Sequence, residues 1–94
     1  MNNEDFPESI ILPIEDSIDL HTFHPGDIPE LIDEYLKECV KLGFKEVRII
    51  HGRGKGYQRA VVQTGLAKNP LVLSFKDAPP ERGGLGATVI KLNS

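Results

Sequence analysis

The sequence has no tryptophan, one cysteine and few aromatic residues, and its apolar runs are short. A single thiol, Cys39, cannot close an internal disulfide, so the fold has no covalent staple of its own. No stretch approaches the ~20 apolar residues that a membrane helix requires. The acidic N-terminus lacks the basic and apolar segments of a secretory signal. These absences favour a reducing, cytoplasmic setting and no membrane partner. Positive charge is scarce too in the first part of the chain. Residues 1–38 carry one base, Lys37, against 11 of the 14 acids.

What is present is a 94-residue chain, enough for one domain with a two-layer core. Its net charge of -3 taken alone argues against a polyanionic partner, but the charge is unevenly spread. Residues 39–94 hold ten bases against three acids, a formal +7. Lys45, Arg48, Arg53, Lys55 and Arg59 crowd around one glycine-rich stretch. The local field, more than the net charge, governs attraction of a polyanion.

That stretch is His51-Gly52-Arg53-Gly54-Lys55-Gly56, between an apolar strand candidate and a helix candidate. Strand, glycine turn and helix together can aim backbone N–H groups and a helix N-terminus at an anion. Gly52, Arg53, Gly54, Lys55 and Gly56 are therefore candidate phosphate-binding residues. The spacing is neither a Walker A loop nor Gly-x-Gly-x-x-Gly. The same glycines could equally form a tight turn and nothing more.

Hydrophobic periodicity predicts the order β-α-β-α-β-β, preceded by a partly extended arm over residues 1–16, with the domain proper at 17–94. Strands are expected over residues 17–21, 46–50, 71–76 and 87–92. The first helix should start at an Asp27 N-cap, with Glu30 in capping-box spacing, and stop at Gly43. Its stripe is Ile28, Leu31, Ile32, Tyr35, Leu36, Cys39 and Val40. The second helix has a weaker stripe of Tyr57, Ala60, Val61, Thr64 and Ala67. The expected fold is an α/β two-layer sandwich with a four-stranded mixed sheet. Right-handed crossovers make the first three strands parallel, and the last pair is antiparallel. Both helices should cover one face, leaving a more polar face that carries Arg48 and Lys91.

If the first two strands are parallel neighbours, their carboxyl ends bring Asp19 and His21 beside His51. Ligands of open sheets bind at such ends. Asp19, His21 and His51 are thus the candidate catalytic residues, a histidine for proton transfer and Asp19 to orient it or to bond loop N–H groups. Each histidine could also merely end a strand or cap a loop. With His24 the group could in principle hold zinc, but the strong Cys/His spacing is missing, so no metal ligand and no cofactor is assigned.

Ile18-Asp19-Leu20-His21-Thr22, His51-Gly52-Arg53-Gly54-Lys55-Gly56 and Gly83-Gly84-Leu85-Gly86-Ala87-Thr88 resemble the motifs of the Smr (small MutS-related) domain family. The family's hallmarks are Leu-Asp-Leu-His-Gly at the first strand and His-Gly-x-Gly-x-Gly after the second. The resemblance covers residues 17–92. It implies a sandwich like the C-terminal domain of translation initiation factor 3, a DNA or RNA partner, and nucleic-acid binding. In some members it implies DNA nicking or RNA cleavage, and in others binding alone. It also suggests a free-standing member without mismatch-repair-like or helical-repeat domains. Thr22 stands where the family usually has glycine, and threonine tolerates positive φ poorly, so the loop after His21 is expected to take another path. With RNA, an internal 2′-hydroxyl could attack without a metal. The sequence leaves that route and metal-assisted water attack both open. The rival readings are a non-catalytic DNA- or RNA-binding module and a small-molecule phosphate-binding protein.

Overall fold

The computed structural model describes residues 14–53 and 57–93. Its main elements follow the expected order: β1 (Ser17–Asp19), α1 (Ile28–Lys41), β2 (Glu46–Ile50), α2 (Tyr57–Lys68), β3 (Val72–Asp77) and β4 (Ala87–Leu92). Most of the expected arm lies outside the described residues. Within them, the Tyr35 hydroxyl donates to the Glu15 carbonyl at 2.6 Å, tying the start of the described chain to α1.

α1 forms because its apolar stripe is in phase. Ile28, Ile32, Tyr35, Leu36 and Cys39 are all buried. Its C-terminus closes as a Schellman motif: Phe44 N–H bonds the Cys39 carbonyl and Gly43 N–H the Val40 carbonyl. Gly43 makes this possible with φ +83°. The N-terminus differs from the expected cap. Asp27 holds the cap position but makes no side-chain cap bond, because a 3₁₀ turn, Pro25–Asp27, runs straight into the helix. His24 caps that turn instead, its Nδ1 accepting from Gly26 N–H at 3.0 Å.

The inward face of α2 is Val62 and Leu66, while Ala60, Thr64 and Ala67 of the expected stripe are exposed. The apolar signal was misphased because Arg59 and Gln63, one turn apart on the inward side, are polar. Burial of Cys39 between these layers pushes its thiol pKa up, and it is an inert core residue.

The sheet order is β1-β2-β4-β3. β1 and β2 pair in parallel, with Asp19 opposite Ile50. β4 pairs antiparallel with both β2 and β3, so the last strand in sequence sits between them. The residues explain this position. Thr88, Ile90 and Leu92 are buried on the helix face, and Ala87 and Val89 on the other, as an inner strand demands. β3 is left at an edge, bulged near Leu73.

The face away from the helices is less polar than its sequence suggests. Ile50, Ala78, Ala87 and Val89 form a small second cluster on it. The β3–β4 connection is held to this face where Arg48 Nη1 donates to the Arg82 carbonyl (2.9 Å) and Arg82 Nη1 meets Glu46 Oε2 (3.2 Å).

Candidate functional site

The carboxyl ends of β1 and β2 are joined by Leu20 N–H donating to the Ile50 carbonyl at 2.7 Å. One residue further along each chain lie His21 and His51. The strand's alternation buries Leu20 and turns Asp19 and His21 outward. Asp19 Oδ1 accepts from His21 N–H (3.0 Å) and bonds the ring Nδ1 (2.5 Å). The hydrogen bond from His21 holds the Asp19 carboxyl below its usual pKa. An ionised carboxylate only accepts, so Nδ1 carries the proton and Nε2 is the nitrogen left for other partners. Phe23 N–H closes the following turn on the Leu20 carbonyl (3.0 Å), with Thr22 inside it.

Gly52 supports this pair from the neighbouring strand. It has φ +85°, and a Cβ there would lie 3.1 Å from His21 Cβ. Its N–H and that of His51 both donate to the Gly86 carbonyl, at 2.9 and 3.0 Å. Gly86 in turn lies under Arg53, where an added Cβ would come within 2.7 Å of Arg53 Cγ. The second and third glycine motifs are thus packed together at one rim.

His51 faces the other way. It is 1% exposed, with Nε2 2.9 Å from Thr88 Oγ1 and Nδ1 3.1 Å from the Gly52 carbonyl. The carbonyl accepts, so Nδ1 holds the proton and Nε2 accepts the Thr88 hydroxyl. Gln63 Nε2 donates to Thr88 Oγ1 and to Asp77 Oδ1, both at 3.1 Å. Asp77 is gripped by Arg59 through two bonds of 2.9 and 2.8 Å. A chain of polar contacts therefore runs from α2 through β3 and β4 to the glycine turn. Its members Gln63 and Asp77 carried no sequence signal, Arg59 stood out only as one of the cations near the glycine stretch, and Thr88 lay in the third motif. Thr88→Val would leave His51 Nε2 and a Gln63 N–H without partners. It should cost about 1–3 kcal/mol, read as a lower urea midpoint. An unchanged midpoint would show that the bonds carry no net stability.

Burial pushes the pKa of His51 below its ordinary value. In the pH range beneath about 6.5 the unfolded chain protonates this residue while the folded domain keeps it neutral. The unfolded state then binds more protons, so stability falls as pH drops from 7 toward the depressed folded value. Urea midpoints at pH 7, 6 and 5 should decline, and His51→Asn should flatten that decline. An equal slope in both proteins would refute the assignment.

The cations expected around the glycine stretch are distributed differently. Arg59 is committed to Asp77, Arg48 lies on the face away from the helices, and Lys45 is at the opposite end of β2. Arg53 is exposed at the rim. Gly54, Lys55 and Gly56 lie outside the described residues. Among the described residues no group of three or more His, Cys, Asp or Glu side chains is placed to hold a metal ion. Nor is any helix there long and apolar enough to cross a membrane.

A four-stranded mixed sheet backed by two helices, with motif residues gathered where parallel strands end, defines a small two-layer α/β domain. The Smr domain model matches residues 18–93, and the chain belongs to that family. Endonuclease MutS2 of Thermomicrobium roseum is 38% identical over 79 residues, 84% of this chain and 10% of that protein. Endonuclease MutS2 of Helicobacter pylori is 37% identical over 75 residues, 80% of this chain and 10% of that protein. The chain therefore spans about a tenth of the length of these relatives. The crystal structure of the Smr domain of Thermus thermophilus MutS2 superposes with a TM-score of 0.80 at 35% identity, covering 83% of this chain and 98% of that one. YdaL, a stand-alone small MutS-related protein from Escherichia coli, superposes at 0.74 with 22% identity, covering 93% and 71%, and shares the fold.

Proposed function

We propose that the chain binds DNA or RNA at the rim of β1 and β2 and cleaves a phosphodiester bond there, with His21 moving the proton. The observation that carries this reading is the Asp19–His21 pair, exposed and backed by Gly52, with Nδ1 bonded and Nε2 left over. Asp19 fixes the tautomer and would stabilise the imidazolium formed when Nε2 takes a proton. Arg53 and Lys55 would offset the charge added in the phosphorane-like transition state. His51 acts as a positioning residue, holding the Gly52 carbonyl from inside. The relatives named as endonucleases favour the reading, although this chain matches only a small part of each.

The burial of His51 favours a second reading, a binding module without catalysis, since both of its ring nitrogens are already bonded. Incubating purified protein with labelled single-stranded RNA and DNA, with and without EDTA, separates the two. Cleavage of either polymer supports the enzyme, and survival in EDTA on RNA assigns attack to the 2′-hydroxyl. Binding without cleavage supports the module. No binding at low salt removes both readings.

A further inference from the structure

The β3–β4 connection is held to the non-helical face at Arg48 and Glu46 of β2. On the same face lies a shallow depression lined by Ser74, Phe75, Lys76, Val89 and Lys91. Register fixes the layout. Arg48 and Lys76 flank Val89 from either side, and Lys91 lies two residues along β4 on the same face.

None of these three cations is neutralised by a described carboxylate. The Arg48 guanidinium bonds the Arg82 carbonyl and Ser17 Oγ, both uncharged, and its Nε has no partner among the described residues. Lys76 and Lys91 are exposed and make no ion pair among the described residues. The nearest candidates are taken: Glu46, opposite Lys91, by Arg82, and Asp77, next to Lys76, by Arg59. Lys76 on an edge strand would also discourage strand pairing. Lys91 has no such explanation, because β4 is an inner strand. Like charges grouped on one sheet face repel one another unless an anion lies across them.

We propose that this depression is a second contact for the same nucleic acid, holding the sugar–phosphate backbone of a single strand that extends from the rim. The inference rests on the function proposed above and adds a path to it. Lys76 lies three strand spacings across and two residues along from Asp19, and Lys91 two across and four along, each about 16 Å away. That distance takes roughly five nucleotides at stacked spacing. Ser74 can donate its hydroxyl to a phosphate oxygen. Phe75 also lines the depression but is half-buried and packs against the helix-side core, so the outward polar groups here are the Ser74 hydroxyl and the ammonium groups of Lys76 and Lys91. The contact is therefore to phosphates and indifferent to sequence.

The test is the salt dependence of binding to a mixed-sequence 20-nucleotide RNA and its DNA equivalent, comparing the wild type with the Lys76→Gln, Lys91→Gln double variant. Two lost phosphate contacts should flatten the slope of log K against log salt by about 1.4 and weaken binding at low salt. If the wild type binds with a steep slope and the double variant matches it, the second contact is wrong and the rim reading stands. If the wild type binds neither polymer, the proposed function itself fails, and this inference with it.

Discussion

Under the proposed function, His21→Ala is expected to lower phosphodiester cleavage by about 10²-fold or more while changing nucleic-acid affinity far less. The substitution removes the one ring nitrogen that the Asp19 contact leaves over, and keeps the positive charge of Arg53 and Lys55. Truncation at an exposed position should disturb the core little, so lost activity would report chemistry and not unfolding. Asp19→Asn should give a smaller loss, because an amide can still accept from the ring but no longer supports its cationic form. His51→Ala should behave differently again, lowering stability together with activity, since it empties a buried position. Cleavage that persists undiminished in the His21→Ala, His51→Ala double variant would assign it to another group or to a contaminating nuclease.

Leu36→Ala should destabilise the domain by about 2–5 kcal/mol, measured as a shift in the urea midpoint at constant m-value. Leu36 is 0% exposed in the middle of α1, in the cluster that joins both helices to Val47, Ile49, Ile90 and Leu92. Neighbours fixed in helices and an inner strand can collapse only partly into the vacated space. For a domain of this size such a loss is a large share of the whole stability. A midpoint that does not move would mean that α1 does not pack through this face.

Legibility of the sequence followed how much of each residue's role is local. The turn at Gly43 and the stripe of α1 depend on neighbours within a few positions, and both could be read directly. So could the meeting of Asp19 with His21, two residues apart on one strand face. The orientation of His51 could not, because it is set by Thr88 and, through it, by Gln63 and Asp77. Nor could the phase of α2, whose inward polar residues are satisfied by partners from β3 and β4. The Asp27 cap failed for a local reason that composition hides: His24 and Pro25 begin a 3₁₀ turn that leaves no break before the helix.

The inner position of β4 also bears on how the domain assembles. β2 and β3 have no hydrogen-bonded contact with each other, and each is completed only by residues 87–92. A nascent chain that has not yet released those residues holds two open strand edges and a half-covered pair of helices. Folding must then wait for pairings distant in sequence, which slows it relative to domains built from local helical contacts. Once β4 is in place its amides are enclosed on both sides, and they should exchange with solvent only when the whole domain opens.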